Sequence, residues 1–527
     1  MVVTRLFAVR MQEPCYSGRV GEAGAVHFPM RRLIPLALVL AAVVALPASA
    51  GAAKLPKDVT RTTYRYPIDL RPGTNIIKIR FGVPKPQGAG YIVRFVPNLT
   101  RRDGSIPPTD KIHLHHAVWL RFGSGNGSTP GYPAEILTAV GEEKTRMTVP
   151  RPYGVPVSAN ETWLLNDMIH DLTNKGMRLY VTWTVDFVKA DSALGRKLKP
   201  VHPLWMDVQR GSAYPVFDVL KGSGTNGKFT YPDQQPNAYG GGPALNEYTV
   251  DRPGTLVASA GHVHPGGLYT DLRLRRAGRS KLLFRSDAKY FGNRPPVSWD
   301  LSMTATPKDW RVRVQPGDVL KVSATYDTKR GSWYESMGIM PSLIAYDDDT
   351  GKNPFASRIA TRGFVTHGHL AENNNWGGGK TGIADPATLP NGSAPGDEVD
   401  ISNFKYRYGD LSGVGATRNP PTVPVGQSLE FVNQDATFAK SRDLQIFHTV
   451  TSCKAPCNRS TGLGYPLPNG SPLFDSGQLG FGQVGFTAAA NRNTYKTPTN
   501  LAPGTYTYLC RGHPFMRGAF RVVPVKT

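Results

Sequence analysis

Three residues that bind soft metal ions lie three positions apart in the stretch "LCRGHPFMRG", near the C-terminus. They are Cys510, His513 and Met516. A copper site that shuttles one electron uses a thiolate, two imidazoles and a weak axial thioether. The second imidazole should come from a distant strand, and His448 ends the apolar run in "DLQIFHTVTS". The pattern indicates a four-ligand copper site, against the alternative of a buried Cys and Met beside two hydrogen-bonded histidines.

This arrangement resembles the cupredoxins, and the C-x2-H-x2-M spacing with "HPFMRG" is most similar to amicyanin. The resemblance runs from Val399 to Val525. It implies a Greek-key β-sandwich. It also implies that the ligands of a type 1 (blue) copper are His448, Cys510, His513 and Met516.

Histidine guides the interpretation of the rest of the chain, because the whole sequence contains only twelve histidines. Nine lie between the presequence and the cupredoxin-like region, in "KIHLHHAVWL", "NDMIHDL", "KPVHPLW", "SAGHVHPGG" and "VTHGHLAEN". The alternation around "SAGHVHPGG" predicts two strands, with His262 and His264 on one face. Met337 could add a thioether, and two imidazoles with one thioether favour Cu(I) over zinc or iron. Taken alone, a methionine such as Met337 more often fills a core.

The first histidine stretch allows two pairings. On a regular strand the adjacent His115 and His116 point to opposite faces, whereas His113 and His115 share one. Regular geometry therefore favours His113 with His115. A strand end or a β-bulge would reverse that choice.

The order of these motifs resembles the copper type II, ascorbate-dependent monooxygenases, the family of peptidylglycine hydroxylating monooxygenase and dopamine beta-monooxygenase. The match runs from Tyr64 to Tyr346, and "IHDLTNKGMRLYVTW" is its most specific stretch after the ligands. The resemblance implies two antiparallel jelly-roll domains with one copper on each. It implies an electron-transfer copper on His115, His116 and His170. It implies an oxygen-binding, catalytic copper on His262, His264 and Met337.

The chain departs from that family in two ways. The family enzymes carry many disulfides in this region, and Tyr64 to Tyr346 contains no cysteine. Ala260 and Pro341 occupy the positions at which peptidylglycine enzymes bind substrate through Arg and Tyr. The resemblance therefore does not extend to a peptide substrate, and it names neither the substrate nor the oligomeric state.

The three ligand sets together predict a copper-dependent monooxygenase, an oxidoreductase with one type 1 and two type 2-like coppers. Hydroxylation of a C–H bond by dioxygen takes two external electrons, and a three-ligand site keeps a position open for oxygen. The predicted partners are an organic substrate, dioxygen and an external electron donor, which in the family is ascorbate. One rival is a non-catalytic copper-binding or electron-transfer protein. A relative of multicopper oxidases or nitrite reductases is less well supported, because Leu509 and Arg511, not histidines, flank Cys510.

Composition and the positions of Gly/Pro-rich segments predict the domain organisation. The 56 Gly, 45 Pro and many short Val/Thr/Tyr-rich runs favour an all-β chain of several domains. "MRRLIPLALVLAAVVALPASAGAAK" has the charge, apolar run and small-residue site of a secretory signal, with an uncleaved anchor as the alternative. Translation is expected to begin at Met30. The predicted parts are a presequence (1–53), two jelly rolls (54–200 and 201–376), a Gly/Pro linker (377–397) and the cupredoxin (398–527).

Charge and cysteine usage fit a secreted or otherwise extracytoplasmic protein. The formal charge is +23, and the first 50 residues hold five Arg and two Glu, so the remainder keeps +20. This charge is diffuse, and neither nucleic acid nor a membrane span after signal cleavage is expected. Cys453 and Cys457 can close a small disulfide loop, which leaves Cys510 unpaired unless a metal holds it. His367 and His369 fit either a surface turn or a further metal site, and His202 is expected to be structural.

Overall fold

A computed structural model describes residues 55–71, 77–109, 111–123, 134–171, 173, 175–211, 215–291, 296, 298–330, 332–346, 348–373, 384–412, 417–436, 447–453, 466–467, 473–477, 479–480, 492–511, 513 and 516–525. All of them belong to one compact unit, Ala48–Thr527. The presequence, including the predicted signal and Met30, lies outside the described residues.

The N-terminal third is a β-sandwich. Its strands are β1 (Val59–Leu70), β2 (Ile77–Arg80), β3 (Gly90–Thr100), β4 (Ile112–Phe122), β5 (Glu135–Val140), β6 (Met147–Thr148), β7 (Tyr153–Val157), β8 (Thr162–Asp171), β9 (Met177–Lys189) and β10 (Lys199–Pro200). One sheet has the order β1-β9-β3-β7-β10, with β6 beside β3, and the other has the order β2-β8-β4-β5. Side chains from both sheets, including Phe95, Trp119 and Trp183, form the core between them. The pairs are antiparallel except β7 with β10.

The middle third repeats this arrangement. Its strands are β11 (His202–Leu204), β12 (Phe217–Val219), β13 (Lys228–Tyr231), β14 (Glu247–Thr249), β15 (Gly254–Ser259), β16 (His262–Val263), β17 (Gly267–Arg276), β18 (Arg279–Tyr290), β19 (Leu301–Ala305), β20 (Val312–Val314), β21 (Val319–Asp327), β22 (Ser332–Ser336), β23 (Gly338–Ile339), β24 (Ser342–Tyr346) and β25 (Phe364–Val365). A large sheet, β13-β21-β17-β18-β19-β25 with β14 beside β21, faces the sheet β11-β24-β15-β20. The short strands β16 and β23 form a separate two-stranded sheet.

The C-terminal part has its own core. Its strands are β26 (Glu398–Ile401), β27 (Thr422–Pro424), β28 (Glu430–Asn433), β29 (Thr451–Cys453), β30 (Pro466–Leu467), β31 (Thr494–Lys496), β32 (Gly504–Leu509) and β33 (Arg517–Val523). They form the sheets β26-β28-β31 and β27-β33-β32-β29, while β30 pairs with β22 of the middle third. Phe431, Tyr508 and Phe520 lie in the core between the two sheets.

The described part of the chain is all-β, which confirms the predicted fold class. It contains no α-helix, only 3-10 turns at Gly195–Lys197, Ala371–Asn373, Pro386–Thr388, Pro395–Asp397 and Gln434–Ala436. No helix among these residues is long and apolar enough to cross a membrane. The domain boundaries stay a prediction. Within the predicted linker, residues 384–397 pack on the C-terminal part, because Arg521 donates to the Leu389 carbonyl at 2.7 Å and Ala394 is buried.

The outer face of one sheet of the first sandwich packs against the middle third. On β8 the odd positions enter the core, including Leu165 and Ile169, whereas Met168 and His170 point to the outer face. Met168 packs there with Trp205 of the middle third. The outer face of the sheet β2-β8-β4-β5 is therefore an apolar interface that also carries histidines.

Candidate metal centres

The C-terminal part brings three predicted ligands into one small triangle. Cys510 Sγ lies 3.7 Å from the Nδ1 atoms of both His448 and His513, and those two Nδ1 atoms are 3.2 Å apart. A point equidistant from the three atoms is about 2.1 Å from each, which matches metal–nitrogen bonds and is slightly shorter than metal–sulfur bonds of about 2.3 Å. Among the described residues this is the one group of three such side chains arranged to hold a metal ion. A thiolate with two imidazoles suits copper.

Local hydrogen bonds hold this triangle in place. His448 Nε2 donates to Asp435 Oδ2 at 2.9 Å, which leaves Nδ1 to face the thiol. The Thr449 amide donates to Cys510 Sγ at 3.4 Å, and the edge of the Phe404 ring packs against both imidazoles. Asp435 escaped the sequence analysis, although it follows a strand in the same segment as His448.

The charges of the triangle favour a bound thiolate. Burial alone would raise the pKa of the Cys510 thiol, but hydrogen bonds with His448 and His513 outweigh it, and the pKa is well below the usual value. Burial alone would lower the pKa of His448, but Asp435 and Cys510 raise it to about 9. The lowered pKa favours the thiolate, which is the form of cysteine that binds a metal ion.

The other two C-terminal predictions have different outcomes. Met516 is fully buried beside the triangle, where its carbonyl accepts the Cys510 amide at 3.2 Å and its amide donates to the His513 carbonyl at 2.8 Å. Cys453 is disulfide-bonded, whereas Cys457 lies outside the described residues. Cys510 is a free thiol.

A β-bulge decides how the first histidines point. The register of β4 with β8 shifts between Leu114 and His116, which makes His115 the extra residue. Leu114 faces the core before the bulge and Ala117 after it, so His113 and His116 both lie on the outer face. The Nδ1 atoms of His115 and His116 are 3.4 Å apart. The bulge brings the adjacent pair together, and His113 stays beside them opposite His170 on β8.

The two predicted histidine sets lie in one buried cluster. The ring of His115 is stacked on His170 at 5.0 Å, and its edge meets His264 at 4.9 Å. The His262 ring lies 5.2 Å from that of His264, and Trp299 covers His113 and His264 at 4.4 and 5.0 Å. We call this group the histidine cluster: His113, His115, His116, His170, His262 and His264.

The structure also brings Met337 next to the cluster. The antiparallel register of β16 with β23 pairs His262 with Ile339, and its continuation places Met337 opposite His264. The buried Tyr326 hydroxyl links the two residues, because it accepts from the His264 amide at 3.0 Å and donates to the Met337 carbonyl at 2.6 Å. Tyr326 was missed because it lies on β21, far from either motif in sequence.

Hydrogen bonds select which ring atom of each histidine can bind a metal. His116 Nε2 is 3.1 Å from Asn166 Oδ1, which assigns metal binding to Nδ1. His264 Nδ1 contacts the Glu335 carbonyl at 2.6 Å, which assigns metal binding to Nε2. The two predicted sets would therefore bind through different nitrogens.

Burial favours the neutral form of five of the six rings. Burial, together with neighbouring imidazoles, lowers the pKa of His113, His115 and His264 well below the usual value. Burial lowers the pKa of His116 to about 4 and, with His513, that of His170 to about 3. Neutral imidazole is the form that binds a metal ion, so the cluster is suited to soft or borderline cations such as copper.

Two buried carboxylates from "VGEEKTRM" adjoin the cluster and were not singled out from the sequence. Glu143 Oε1 lies 3.0 Å from His262 Nδ1. Glu142 accepts the Leu114 amide at 2.6 Å and lies 3.6 Å from Lys144 Nζ. The only hint in the sequence was a pair of acidic residues directly after an apolar strand, which usually marks a solvated turn.

The remaining histidines have structural contacts. His367 is buried and contacts the backbone oxygen of Glu143, whereas His369 is half exposed and forms an ion pair with Asp300. Neither belongs to a three-ligand group among the described residues. His202 is buried on β11, and its ring lies 5.7 Å from that of Tyr346.

The C-terminal part is packed directly against the histidine cluster. Phe447, next to the ligand His448, shares an apolar group with Met168, Trp205 and Met337. The effect of His513 on the pKa of His170 places these two imidazoles within electrostatic reach. The pairing of β30 with β22 adds a second connection. The paired residues of β22 are Ser332 and Trp333, which lie five and four residues before Met337.

The comparisons with known proteins give only distant similarities. No protein-family model and no curated protein matches the sequence. Solved structures that match include a methionine-to-alanine mutant of amicyanin in its Cu(I) form, at 20% identity over 27% of this chain and 94% of that one, with a TM-score of 0.14. A copper nitrite reductase from Thermus scotoductus SA-01 matches at 16% identity over 51% of this chain and 55% of that one, with a TM-score of 0.15. The Sulfolobus turreted icosahedral virus structure matches at 10% identity over 55% and 90%, with a TM-score of 0.24. These similarities are too low to assign a function, which has to rest on side-chain geometry.

Proposed function

We propose that this protein is an exported copper-dependent monooxygenase in which the C-terminal part delivers electrons to the histidine cluster. The observation that carries the proposal is the packing of the C-terminal part beside the cluster, where Phe447 shares one apolar group with Met337 and His513 lies within electrostatic reach of His170. A chain that only stored copper would not require a thiolate site beside a group of six imidazoles, four of them buried.

Each predicted set has donor types that suit copper, and the donor atoms of the Cys510 triangle lie within reach of one another in the described residues. Copper on His448, Cys510, His513 and Met516 would exchange single electrons, and copper on His262, His264 and Met337 would be where dioxygen reacts. His115, His116 and His170 would hold the intermediate electron-transfer copper. The substrate is organic, and the external donor is a small reductant or a redox protein.

The protein's own residues provide the route and exclude water from it. His513 and His170 are both buried, and Met168 and Phe447 belong to one apolar group with Ile136. From His170 the stacked ring of His115 leads to His264 at the other predicted set. Charge transfer in such a dry, fixed environment needs little reorganisation of solvent.

One observation supports the alternative, a copper-binding electron-transfer protein without turnover. In the described part of the chain, the triangle around Cys510 is the one group with three metal-binding side chains in close reach of one another. The histidine cluster would then only relay or store copper. Both functions predict a blue protein, so colour does not separate them.

Dioxygen uptake by the copper-loaded full-length protein, with ascorbate as reductant, separates the two functions. The wild type should consume dioxygen. Met337→Ile should lose that uptake and keep the blue absorbance, because only the oxygen-binding position loses its thioether. Met340→Ile is the matched control, since Met340 is equally buried but lies in the core of the middle third. A wild type that is blue but takes up no dioxygen would support the non-catalytic alternative.

A further inference from the structure

Glu143 is a buried carboxylate with few partners. Its side chain is buried, and Oε1 contacts His262 Nδ1 at 3.0 Å and the Gly141 amide at 3.2 Å. The second oxygen, Oε2, is also buried and has no hydrogen-bond partner. The nearest lysine does not neutralise it, because Lys144 pairs with Glu142 and Glu372 at 3.6 and 3.1 Å.

A buried carboxylate is costly unless an opposite charge lies close to it. Within the described part of the chain, the one ion-pair partner of Glu143 is the ring of His262. A neutral His262 offers only a hydrogen bond. A His262 that binds a cation through its other nitrogen carries part of that positive charge towards Glu143.

The backbone leaves room for this contact at a single glycine. A Cβ on Gly141 would lie 2.7 Å from Glu143 Oε2 and 3.1 Å from both His262 Cε1 and the His115 carbonyl oxygen. The ring, the carboxylate and the bulged strand therefore meet at Gly141, where any side chain would push the carboxylate away from the ring. His367 holds the Glu143 backbone from the opposite side.

We propose that Glu143 is the positioning residue of His262. It accepts the Nδ1–H of the ring so that Nε2 binds copper, and its buried negative charge stabilises the Cu(II) state at that position. This inference rests on the proposed function, because it requires His262 to be a copper ligand. It adds a charged residue to a ligand set that is otherwise neutral.

The test measures the Cu(II) affinity and the Cu(II) electron paramagnetic resonance spectrum of the full-length protein and its variants. Glu143→Gln removes the charge and keeps the shape, and it should weaken Cu(II) binding at one non-blue position about 10–100-fold while Cu(I) binding changes less. Glu143→Asp should recover part of that loss. Glu161→Gln is the matched control, because Glu161 is equally buried but accepts the Trp163 indole N–H at 2.6 Å in the first sandwich, and it should leave this affinity unchanged.

The outcomes separate this inference from the proposed function. An unchanged non-blue spectrum and affinity in Glu143→Gln would overturn the role of Glu143 and leave the proposed function intact. A wild type that binds copper only at the blue position would overturn both. If Glu143→Gln does not fold, Gly141→Ala provides the second test, since its methyl group should displace the carboxylate and change the same signal. An unchanged signal in a folded Gly141→Ala would also count against the inference.

Discussion

Phe447 is the residue on which we expect the contact between the C-terminal part and the histidine cluster to depend most. Its side chain is 1% exposed and packs against Trp205, Met337 and Ile339 of the middle third. Phe447→Ala removes the ring without altering any predicted ligand. The variant should stay blue, but its C-terminal part should separate from the cluster more often.

The size of this effect follows from the burial of Phe447. Truncating a buried phenylalanine to alanine costs about 3–5 kcal/mol where the cavity cannot collapse. A loss of about 3 kcal/mol from the docked arrangement alone is about a 100-fold change in the docking equilibrium, because 1.4 kcal/mol is tenfold. Some collapse of the interface would reduce this value.

Hydrogen exchange measures this docking without depending on copper. In Phe447→Ala, the amides of β22 and the Leu467 amide of β30, which pair across the contact, should exchange faster, whereas β1 and β9 should keep their protection. Phe95→Ala is the control, because Phe95 is equally buried but lies in the core of the first sandwich. Unchanged exchange at β22 and β30 in Phe447→Ala would refute the idea that this ring holds the two parts together.

Three further predictions address single side chains. Met516→Leu should keep the blue colour and raise the reduction potential, since loss of the weak axial thioether favours Cu(I); voltammetry measures this, and a lowered potential would contradict it. Tyr326→Phe removes the hydroxyl that links His264 to Met337, so it should lower the free energy of unfolding by about 1–3 kcal/mol and weaken copper binding at a non-blue position. Denaturant titration and copper titration measure these two effects. An unchanged copper affinity would show that Tyr326 does not position these ligands. His116→Ala should lose one copper by elemental analysis while His113→Ala keeps it, and the reverse result would assign the site to the His113/His115 pair.

The grouping of Cys510 and His513 was largely predictable because these residues are close in sequence. Cys510, His513 and Met516 lie in one loop, and a strand of alternating residues ends at Cys510. Their spacing in the sequence therefore keeps the three residues close to one another. Only His448 had to be inferred from a distant segment. Asp435, which orients His448, could not be identified because aspartates at strand ends are common and usually solvated.

The histidine cluster was predictable in its members but not in its arrangement. The bulge at His115 depends on how β4 pairs with β8, which no local pattern specifies. The contact of His115 with His264 depends on the packing of two separate sandwiches. Glu143 and Tyr326 reach the cluster through the same long-range packing, so their positions became visible only in three dimensions.

The docking of the C-terminal part was likewise not predicted. The predicted Gly/Pro linker (377–397) has the composition of a flexible connection, which gives no indication of docking. The structure instead packs Phe447 against Met337 and pairs β30 with β22. Apolar residues such as Phe447 and Ile339 fit a domain core as well as an interface, so hydrophobicity alone could not distinguish the two.

Rapid mixing of the fully reduced, copper-loaded protein with dioxygen tests the central claim of electron delivery most directly. The observable is the return of the blue absorbance, which reports oxidation of the Cys510 site. We expect the blue colour to return rapidly in the wild type and in Met340→Ile, and much more slowly in Met337→Ile, since electrons then have no oxygen-binding position to reach. An equal rate in the wild type and in Met337→Ile would show that the blue site does not deliver its electrons to the histidine cluster.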